Sequence, residues 1–554
     1  MSLASDTPAL RKARGAFFTP PELSRYVAEW AIRSSDDLVL EPSCGEAVFL
    51  LAAGERLRAM RGCAPKPGQL GGVELHEASA AQGEVELRRA GLPASVVAGD
   101  FFHFTPRACY DAVIGNPPYV RYQSFTGAAR TQSRSAALAQ GVRLTRLASS
   151  WAAFTVHAAL FLRPGGRLGL VLPAELLSVN YASEVRAFLM RRFARVRLVL
   201  FEERVFQDVQ EEVVLLLAEG EGPTDHCELM QVEDARALER LDVATYSWQP
   251  PADGGKWTPA LLTTSALEAY RLVESCQSFE TLATWGRVTL GAVTGRNDFF
   301  ALSRERFHEL ELAESDVLTL SPPGSRHLRA GSFKESDWQR LASSGADTYL
   351  FWPWENPSPA ARRYIEAGEA MKVHRGYKCQ SREPWWRVPL SPMADVFVTY
   401  MNAGVMQLAT NRAGVRHLNS IHGLVLRDGV QTLGRDLLPL ACLNSMTLLG
   451  SEIVGRSYGG GMLKVEPREA GLVPVPASTL LQRSPGKALR ESRHTVTTLL
   501  QRGELQHAID IVDAIILKDG IELSDGAIAE LRDARIVLAR RRAARGRAPR
   551  RTES

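Results

Sequence analysis

Lysine is scarce in this chain of 554 residues: only nine of its 66 basic residues are lysine, so arginine carries nearly all of the positive charge. The planar guanidinium fork suits phosphates and base edges, although a GC-rich coding sequence produces the same bias. With 62 acidic residues the formal net charge is +4, too balanced to identify a nucleic-acid partner by itself. Cysteine is also sparse. Cys44, Cys63, Cys109, Cys227, Cys276, Cys379 and Cys442 are odd in number and form no CxxC pair. No zinc ribbon or disulfide framework is legible, no metal is expected, and a reducing, cytoplasmic compartment fits. No apolar run approaches the roughly 18 residues of a membrane span. The first residues carry basic groups with no apolar stretch behind them, so no signal peptide is expected. Apolar residues at 45% and charged residues at 23% exclude a mostly disordered chain, a collagen and a coiled-coil rod.

What is present is strand–helix alternation. Residues 1–14 read as a flexible leader. From about 15 to 220, short apolar runs (37–40, 71–74, 94–98, 111–114, 167–172, 196–200 and 212–217) alternate with helix-like segments (21–33, 45–60, 76–90, 150–162 and 181–193). This pattern predicts a parallel, doubly wound α/β sheet. The last run suits an antiparallel edge as well as a parallel strand. Loop chemistry between 220 and 255 places a boundary near 245. Residues 246–480, rich in Trp, Arg, Asn and Gly, predict an α+β domain of short strands and long loops. Residues 481–554 read as a helical segment ending in a basic tail, where a solvated run or phosphate contact are both open.

The most informative stretch is Asn116-Pro117-Pro118-Tyr119, directly after an apolar strand. It therefore lies at a strand's carboxyl end, where open α/β sheets bind ligands. A planar amine is a poor nucleophile because its lone pair is delocalised. Two acceptors that draw on its hydrogens favour the reactive geometry, and the Asn116 side-chain oxygen and the Pro117 carbonyl are suited to this. Proline lacks an N–H, so Pro117 and Pro118 make a stiff turn that presents carbonyls. Tyr119 can stack on an extruded base. Three more strand ends carry suitable groups. Leu40-Glu41-Pro42-Ser43-Cys44-Gly45 turns into a helix, and Gly45 permits close approach of a ligand to the backbone. Glu74 ends the second strand, where an acid can grip ribose hydroxyls. Asp100 with Phe101 follows the third strand and suits the amino edge and ring face of an adenine.

Together these motifs resemble the class I S-adenosylmethionine-dependent methyltransferases. More narrowly, they resemble the DNA adenine-N6 methyltransferases in which cofactor motifs come first, NPPY next and target recognition last. The resemblance implies a Rossmann-like doubly wound catalytic domain over 15–245, a DNA target-recognition domain over 246–480 and a helical C-terminal segment. It implies S-adenosyl-L-methionine as cofactor, with Thr19, in Gly15-Ala-Phe-Phe-Thr-Pro20, at the methionine carboxylate. Glu41, Ser43 and Gly45 match the first cofactor loop, Glu74 the ribose acid, Asp100 the adenine N6 contact, Phe101 the ring contact and Phe154 a cofactor-side aromatic. Asn116, Pro117, Pro118 and Tyr119 match the catalytic motif, and Phe206 aligns with a second aromatic on the flipped base. The family's loop usually has a second glycine where this chain has Ala47. Thr294–Leu302 and Tyr458–Val465 look like segments of related enzymes' recognition domains.

The implied activity is methyl transfer to adenine N6 in duplex DNA after base flipping, as the modification half of a restriction–modification system. The expected partners are DNA and a separately encoded restriction endonuclease. Arg296, Asn297, Arg375, Lys378, Arg416 and Arg456 are candidate groove or phosphate contacts, with Arg382, Arg412 and Asn419 beside them. Each also suits an ordinary solvated surface. The same NPPY chemistry serves protein-glutamine and RNA N-methyltransferases, but about 300 residues beyond the catalytic sheet suit a reader of duplex sequence better. A fused metal-dependent nuclease is disfavoured, because none of the nine lysines has an acid two residues before it. A DNA-binding module without activity would have no need of Asn116 and Tyr119.

Overall fold

The computed structural model describes residues 19–120, 127–145, 148–201, 205–206, 212–239, 245–251, 254–354 and 356–546. The expected leader, residues 15–18 of the N-terminal motif, Arg204, Gln207 and residues 547–554 lie outside the described residues. The chain divides into two compact units, one running to Leu261 and one over Leu262–Arg547.

The first unit is built on nine strands: β1 (Val39–Glu41), β2 (Leu70–Glu74), β3 (Ala94–Ala98), β4 (Tyr110–Gly115), β5 (Leu162–Pro173), β6 (Arg195–Phe201), β7 (Val213–Glu219), β8 (Cys227–Val232) and β9 (Thr245–Trp248). Their spatial order is β3-β2-β1-β4-β5-β7-β6-β8-β9. β1 to β5 are mutually parallel, β7 runs antiparallel between β5 and β6, β8 is parallel to β6, and β9 is antiparallel to β8. The centre reads as continuous apolar runs because both faces are covered: Gly166 to Pro173 of β5 are all buried.

The order reverses at β1. β2 and β3 lie on one side of it, β4 and β5 on the other. Right-handed crossovers then place the connecting helices on opposite faces, and the crevice at the β1–β4 carboxyl ends is the switch point where such sheets bind ligands. The expected Rossmann-like doubly wound sheet is therefore present. Its helices include α1 (Pro21–Ala31), α2 (Val48–Arg61), α3 (Glu77–Arg89), α4 (Gly127–Leu138), α5 (Ser150–Ala159) and α6 (Ser183–Arg192). α1 begins with Pro21, whose missing N–H costs nothing in a first turn, and buries Leu23, Val27, Ala28 and Ala31 along one face. α2 stops at Gly62, whose left-handed backbone (φ 76°) donates to the Arg58 carbonyl.

The boundary expected near 245 falls at the start of β9, and the first unit continues beyond it. The Tyr246 hydroxyl donates to the Ala260 carbonyl at 3.1 Å, and the Trp257 N–H donates to the Leu177 carbonyl at 2.7 Å. Arg186 of α6, buried, donates to the carbonyls of Gly254 at 2.9 Å and Leu176 at 2.8 Å. The Gly254 N–H donates to the Pro251 carbonyl at 3.1 Å.

The second unit is α+β. A five-stranded sheet runs in spatial order Gly286–Leu290, Ile421–Leu426, Val396–Thr399, Leu408–Asn411 and Ser332–Phe333. A three-stranded sheet of Ala301–Ser303, Asp347–Phe351 and Val317–Thr319 covers a separate apolar core that includes Phe299, Phe300, Phe351 and Tyr364. A second small sheet joins Met401–Asn402, Met462–Lys464 and Arg456–Tyr458. The expected C-terminal helices follow, ending in Asp525–Gly546. Arg542, on the last of them, is buried, pairs with Glu452 at 2.8 Å and donates to the Gly461 carbonyl. Arg542 of this basic helix is thus packed into the unit. Among the described residues no single helix is long and apolar enough to cross a membrane. The pair Gln431–Ala441 and Ser445–Val454, bent by 88°, reaches that length and apolarity together, and its Leu437, Leu438, Leu440, Leu448 and Leu449 are buried in the unit's interior.

Candidate active site

Four consecutive strand ends converge on the switch point. At the end of β1, Glu41 is buried and its Oε2 accepts the Leu50 N–H at 2.9 Å. It therefore satisfies one of the free donors in the first turn of α2. Burial, opposed by these backbone donors and reinforced by Glu74, holds its carboxyl well above the usual carboxylate range. Between them the chain turns tightly. Gly45 has φ 50°, with nothing within 4 Å of the place a β-carbon would occupy. Ala47 is also left-handed (φ 66°) and leads into α2. The Cys44 N–H donates to the Val73 carbonyl at 3.0 Å, tying the turn to β2. Ser43 is half-buried on the same turn.

Glu74 closes β2. Its Oε2 accepts the Gly45 N–H at 2.8 Å and its Oε1 the His76 N–H at 2.9 Å. The acid thus spans the β1–α2 turn and the start of α3. Gly83 of α3 packs against that turn: a β-carbon there would sit 3.1 Å from the Gly45 carbonyl oxygen and 3.3 Å from the Ala47 β-carbon. At the end of β3, Asp100 Oδ1 accepts the Phe102 N–H at 3.0 Å. Phe101 is buried against Phe154 of α5, with ring centroids 4.9 Å apart, and against Phe161 and His157. Phe102, half-buried, is the more exposed ring of the pair.

Gly115 ends β4 and the NPPY segment follows. Asn116 Nδ2 donates to Thr19 Oγ1 at 3.2 Å, which brings together two residues 97 positions apart. Asn116 Oδ1 is buried without a partner. The buried Pro117 follows it. An orphaned buried acceptor costs roughly 1–3 kcal/mol, so the Asn116 oxygen at a strand's carboxyl end points to a ligand that carries an N–H group. Tyr119 is 9% exposed, and its hydroxyl donates to the Val171 carbonyl of β5 at 2.9 Å. Phe206 is buried, and most of its flanking residues lie outside those described.

Two residues of this site were not anticipated. Ser150, the first of α5, donates through its hydroxyl to the Pro118 carbonyl, accepts the Val120 N–H at 3.0 Å, and gives its own N–H to the Val120 carbonyl at 3.1 Å. It pins the far side of the NPPY turn. The Ser149-Ser150 pair before an apolar helix was the available signal. His157 sits among Phe101, Phe102 and Phe161 with neither ring nitrogen partnered, and burial lowers its pKa. Sequence gives no sign of that enclosure. A nucleoside-bearing cofactor fits these residues: an open left-handed glycine, an acid at the second strand end, an acid with aromatics at the third. Among the described residues no cluster of His, Cys, Asp and Glu could hold a metal.

In the second unit, Arg296, Asn297, Arg375 and Lys378 fall in two adjoining segments, since a β-carbon at Gly295 would lie 2.8 Å from that of Lys378. Arg416 and Arg456 are engaged internally. Arg416 donates to the Ser391 carbonyl at 2.7 Å, and Arg456 lies 3.3 Å from Glu469.

Comparison with known proteins agrees with this architecture. The N-6 DNA methylase family matches residues 2–240, and the C-terminal domain of type II methyltransferase M.Eco57I matches residues 254–517. Type II methyltransferase M.AccI of Acinetobacter calcoaceticus is 22% identical over 83% of this chain and 84% of its own length. Type II methyltransferase M.XamI of Xanthomonas campestris pv. amaranthicola is 25% identical over 84% of this chain and 85% of its own. Among solved structures, the type IIL restriction–modification enzyme MmeI in complex with DNA has a similar fold. Its TM-score is 0.58 at 11% identity, over 94% of this chain and 75% of MmeI.

Proposed function

From the match of residues 2–240 to the N-6 DNA methylase family we infer that the chain is a DNA-binding methyltransferase of a type II restriction–modification system. It transfers the methyl group of S-adenosylmethionine to adenine N6. Its main support at the site is the buried, unpartnered acceptor at the end of β4, Asn116 Oδ1; the Pro117 carbonyl is the second acceptor of this reading.

The chemistry follows from those two atoms. They accept the two hydrogens of the exocyclic amine, draw electron density onto N6 and stabilise the positive charge that develops there as it attacks. The Asn116 amide is held in register because its Nδ2–H is committed to Thr19. Tyr119, tethered to Val171, takes one face of an adenine extruded from the duplex, and Phe206 takes another. S-adenosylmethionine, when bound, supplies an electrophilic methyl on a sulfonium. Thr19, Ser43 and Gly45 hold its methionine end, Glu41 shapes the turn they stand on, and Glu74 takes the ribose hydroxyls. Asp100 takes the adenine amino edge, with Phe101 and Phe154 as the apolar wall. The second unit, from Leu262 to about residue 480, reads the DNA sequence, with Arg296, Asn297, Arg375 and Lys378 as contacts and Arg416 and Arg456 in support. A separately encoded restriction endonuclease is the partner, and the bacterial cytoplasm, at the nucleoid, is the place of action.

Incubation with tritiated S-adenosylmethionine and unmethylated duplex DNA, followed by nucleoside analysis, tests this. Label in N6-methyladenosine is the expected result. Label only in protein or RNA would replace this substrate with another planar amine.

A further inference from the structure

The turn at residues 294–297 is stiff and carries an exposed ion pair that stability does not explain. Gly295 takes a left-handed backbone (φ 84°). Thr294 Oγ1 donates to Asn297 Oδ1 at 2.5 Å and accepts the Arg296 N–H at 3.2 Å. From outside, Arg382 clamps the turn through the Thr294 carbonyl at 3.0 Å and the Val293 carbonyl. Phe299 and Phe300, just beyond, are buried in the core. On this base Arg296 forms a two-pronged pair with Asp298: Nε to Oδ1 at 3.1 Å and Nη2 to Oδ2 at 2.9 Å. The two side chains are 44% and 67% exposed, where such a pair adds little stability. Its consequence is geometric. One edge of the guanidinium is occupied, its plane is set, and the outer edge, with Nη1 and the remaining Nη2 hydrogen, points its parallel N–H groups away from Asp298.

Two parallel donors on a fixed plane match the O6 and N7 acceptors of guanine in the major groove. The neighbourhood suits DNA too. Tyr377 is 80% exposed, with the Lys378 ammonium 5.5 Å from its ring, and Arg375 is exposed beside it. These cations can hold phosphates while the arginine fork faces a base edge.

We propose that Arg296, buttressed by Asp298, reads a guanine of the recognition sequence, with Arg375 and Lys378 placing the turn on the backbone. This rests on the DNA-methyltransferase reading and deepens it. A randomised duplex library is methylated by wild type, Arg296→Ala and Arg296→Lys with S-adenosylmethionine and sequenced for N6-methyladenine. Wild type is expected to yield one consensus containing a guanine. Both variants are expected to lose discrimination at that guanine, with kcat/KM on the wild-type site lower by roughly ten- to hundredfold. Lysine fails as alanine does because it lacks the fork. An unchanged consensus in both variants overturns the proposal, as does a loss equal at every position, which would mark a phosphate contact. Wild type that methylates no DNA would instead overturn the parent reading, and this proposal with it.

Discussion

Asn116 illustrates how a single residue carries the chemistry. Its Nδ2–H is spent on Thr19 and its Oδ1 is left over, so replacing it removes an acceptor from the reacting amine without disturbing the strand beneath. Asn116→Ala is expected to lower kcat by about 10²–10³, the scale of removing one matched hydrogen-bonding group from a charge-stabilising site. Cofactor affinity by calorimetry should stay within a few-fold. A matching loss of cofactor binding would mean that Asn116 serves the pocket instead. Ala47 is a different case. An alanine at φ 66° costs about 1–2 kcal/mol relative to glycine. Against that, its buried methyl contributes about 0.8 kcal/mol and glycine would cost about 0.4–1 kcal/mol in unfolded-chain entropy. The terms nearly cancel, so Ala47→Gly should move stability by less than about 1 kcal/mol in urea titration. A loss of 2 kcal/mol or more would show that the methyl, not the backbone, governs this turn.

Elements matter where they press on one another. The β1–α2 turn is wedged between its own strand and α3, with Gly83 as the point of contact. Gly83→Ala should raise helix propensity by up to about 1 kcal/mol while pushing the Gly45 carbonyl and Ala47 by tenths of an ångström. The expected outcome is several-fold weaker S-adenosylmethionine binding with DNA affinity unchanged. Equal cofactor affinity would mean that the turn yields freely. Most of the central elements were legible because β1 to β7 are apolar runs with turn residues at their ends. β8 and β9 were not: Cys227–Val232 and Thr245–Trp248 mix polar and apolar residues near or at the sheet edge, where one-sided contact leaves no clear period. The first compact unit also runs past the boundary expected near 245, to Leu261. What ties 246–261 to it is Arg186 and single backbone hydrogen bonds, which leave no pattern in composition.

At the scale of the whole molecule, buried histidines set the response to acid. Burial pushes His327 and His417 down to about 4, His417 with help from the nearby His422 and Arg416. In the folded state both stay neutral, while the unfolded chain takes up these protons near pH 6.5. Their contribution is therefore intact above about pH 6.5 and is lost as pH falls towards 4. Urea midpoints at pH 7.5, 5.5 and 4.5 should decline in that order, and His417→Gln should flatten the decline. A midpoint that holds steady from 7.5 to 4.5 would contradict the assignment.

The sequence alone was enough to name the chemistry, because a strand followed by NPPY, and acids at successive strand ends, are local facts that survive in linear order. It was enough for the doubly wound class too, since hydrophobic periodicity is written residue by residue. It could not say that Thr19 and Asn116 share a hydrogen bond, that Ser150 pins the NPPY turn, or that one edge of Arg296 is occupied by Asp298 while the other is open. Nor does it separate five basic residues of the second unit: Arg416 and Arg456 are engaged internally, whereas Arg296, Arg375 and Lys378 are exposed. Which polar groups find partners depends on packing between segments far apart in the chain, and only the tertiary structure decides that.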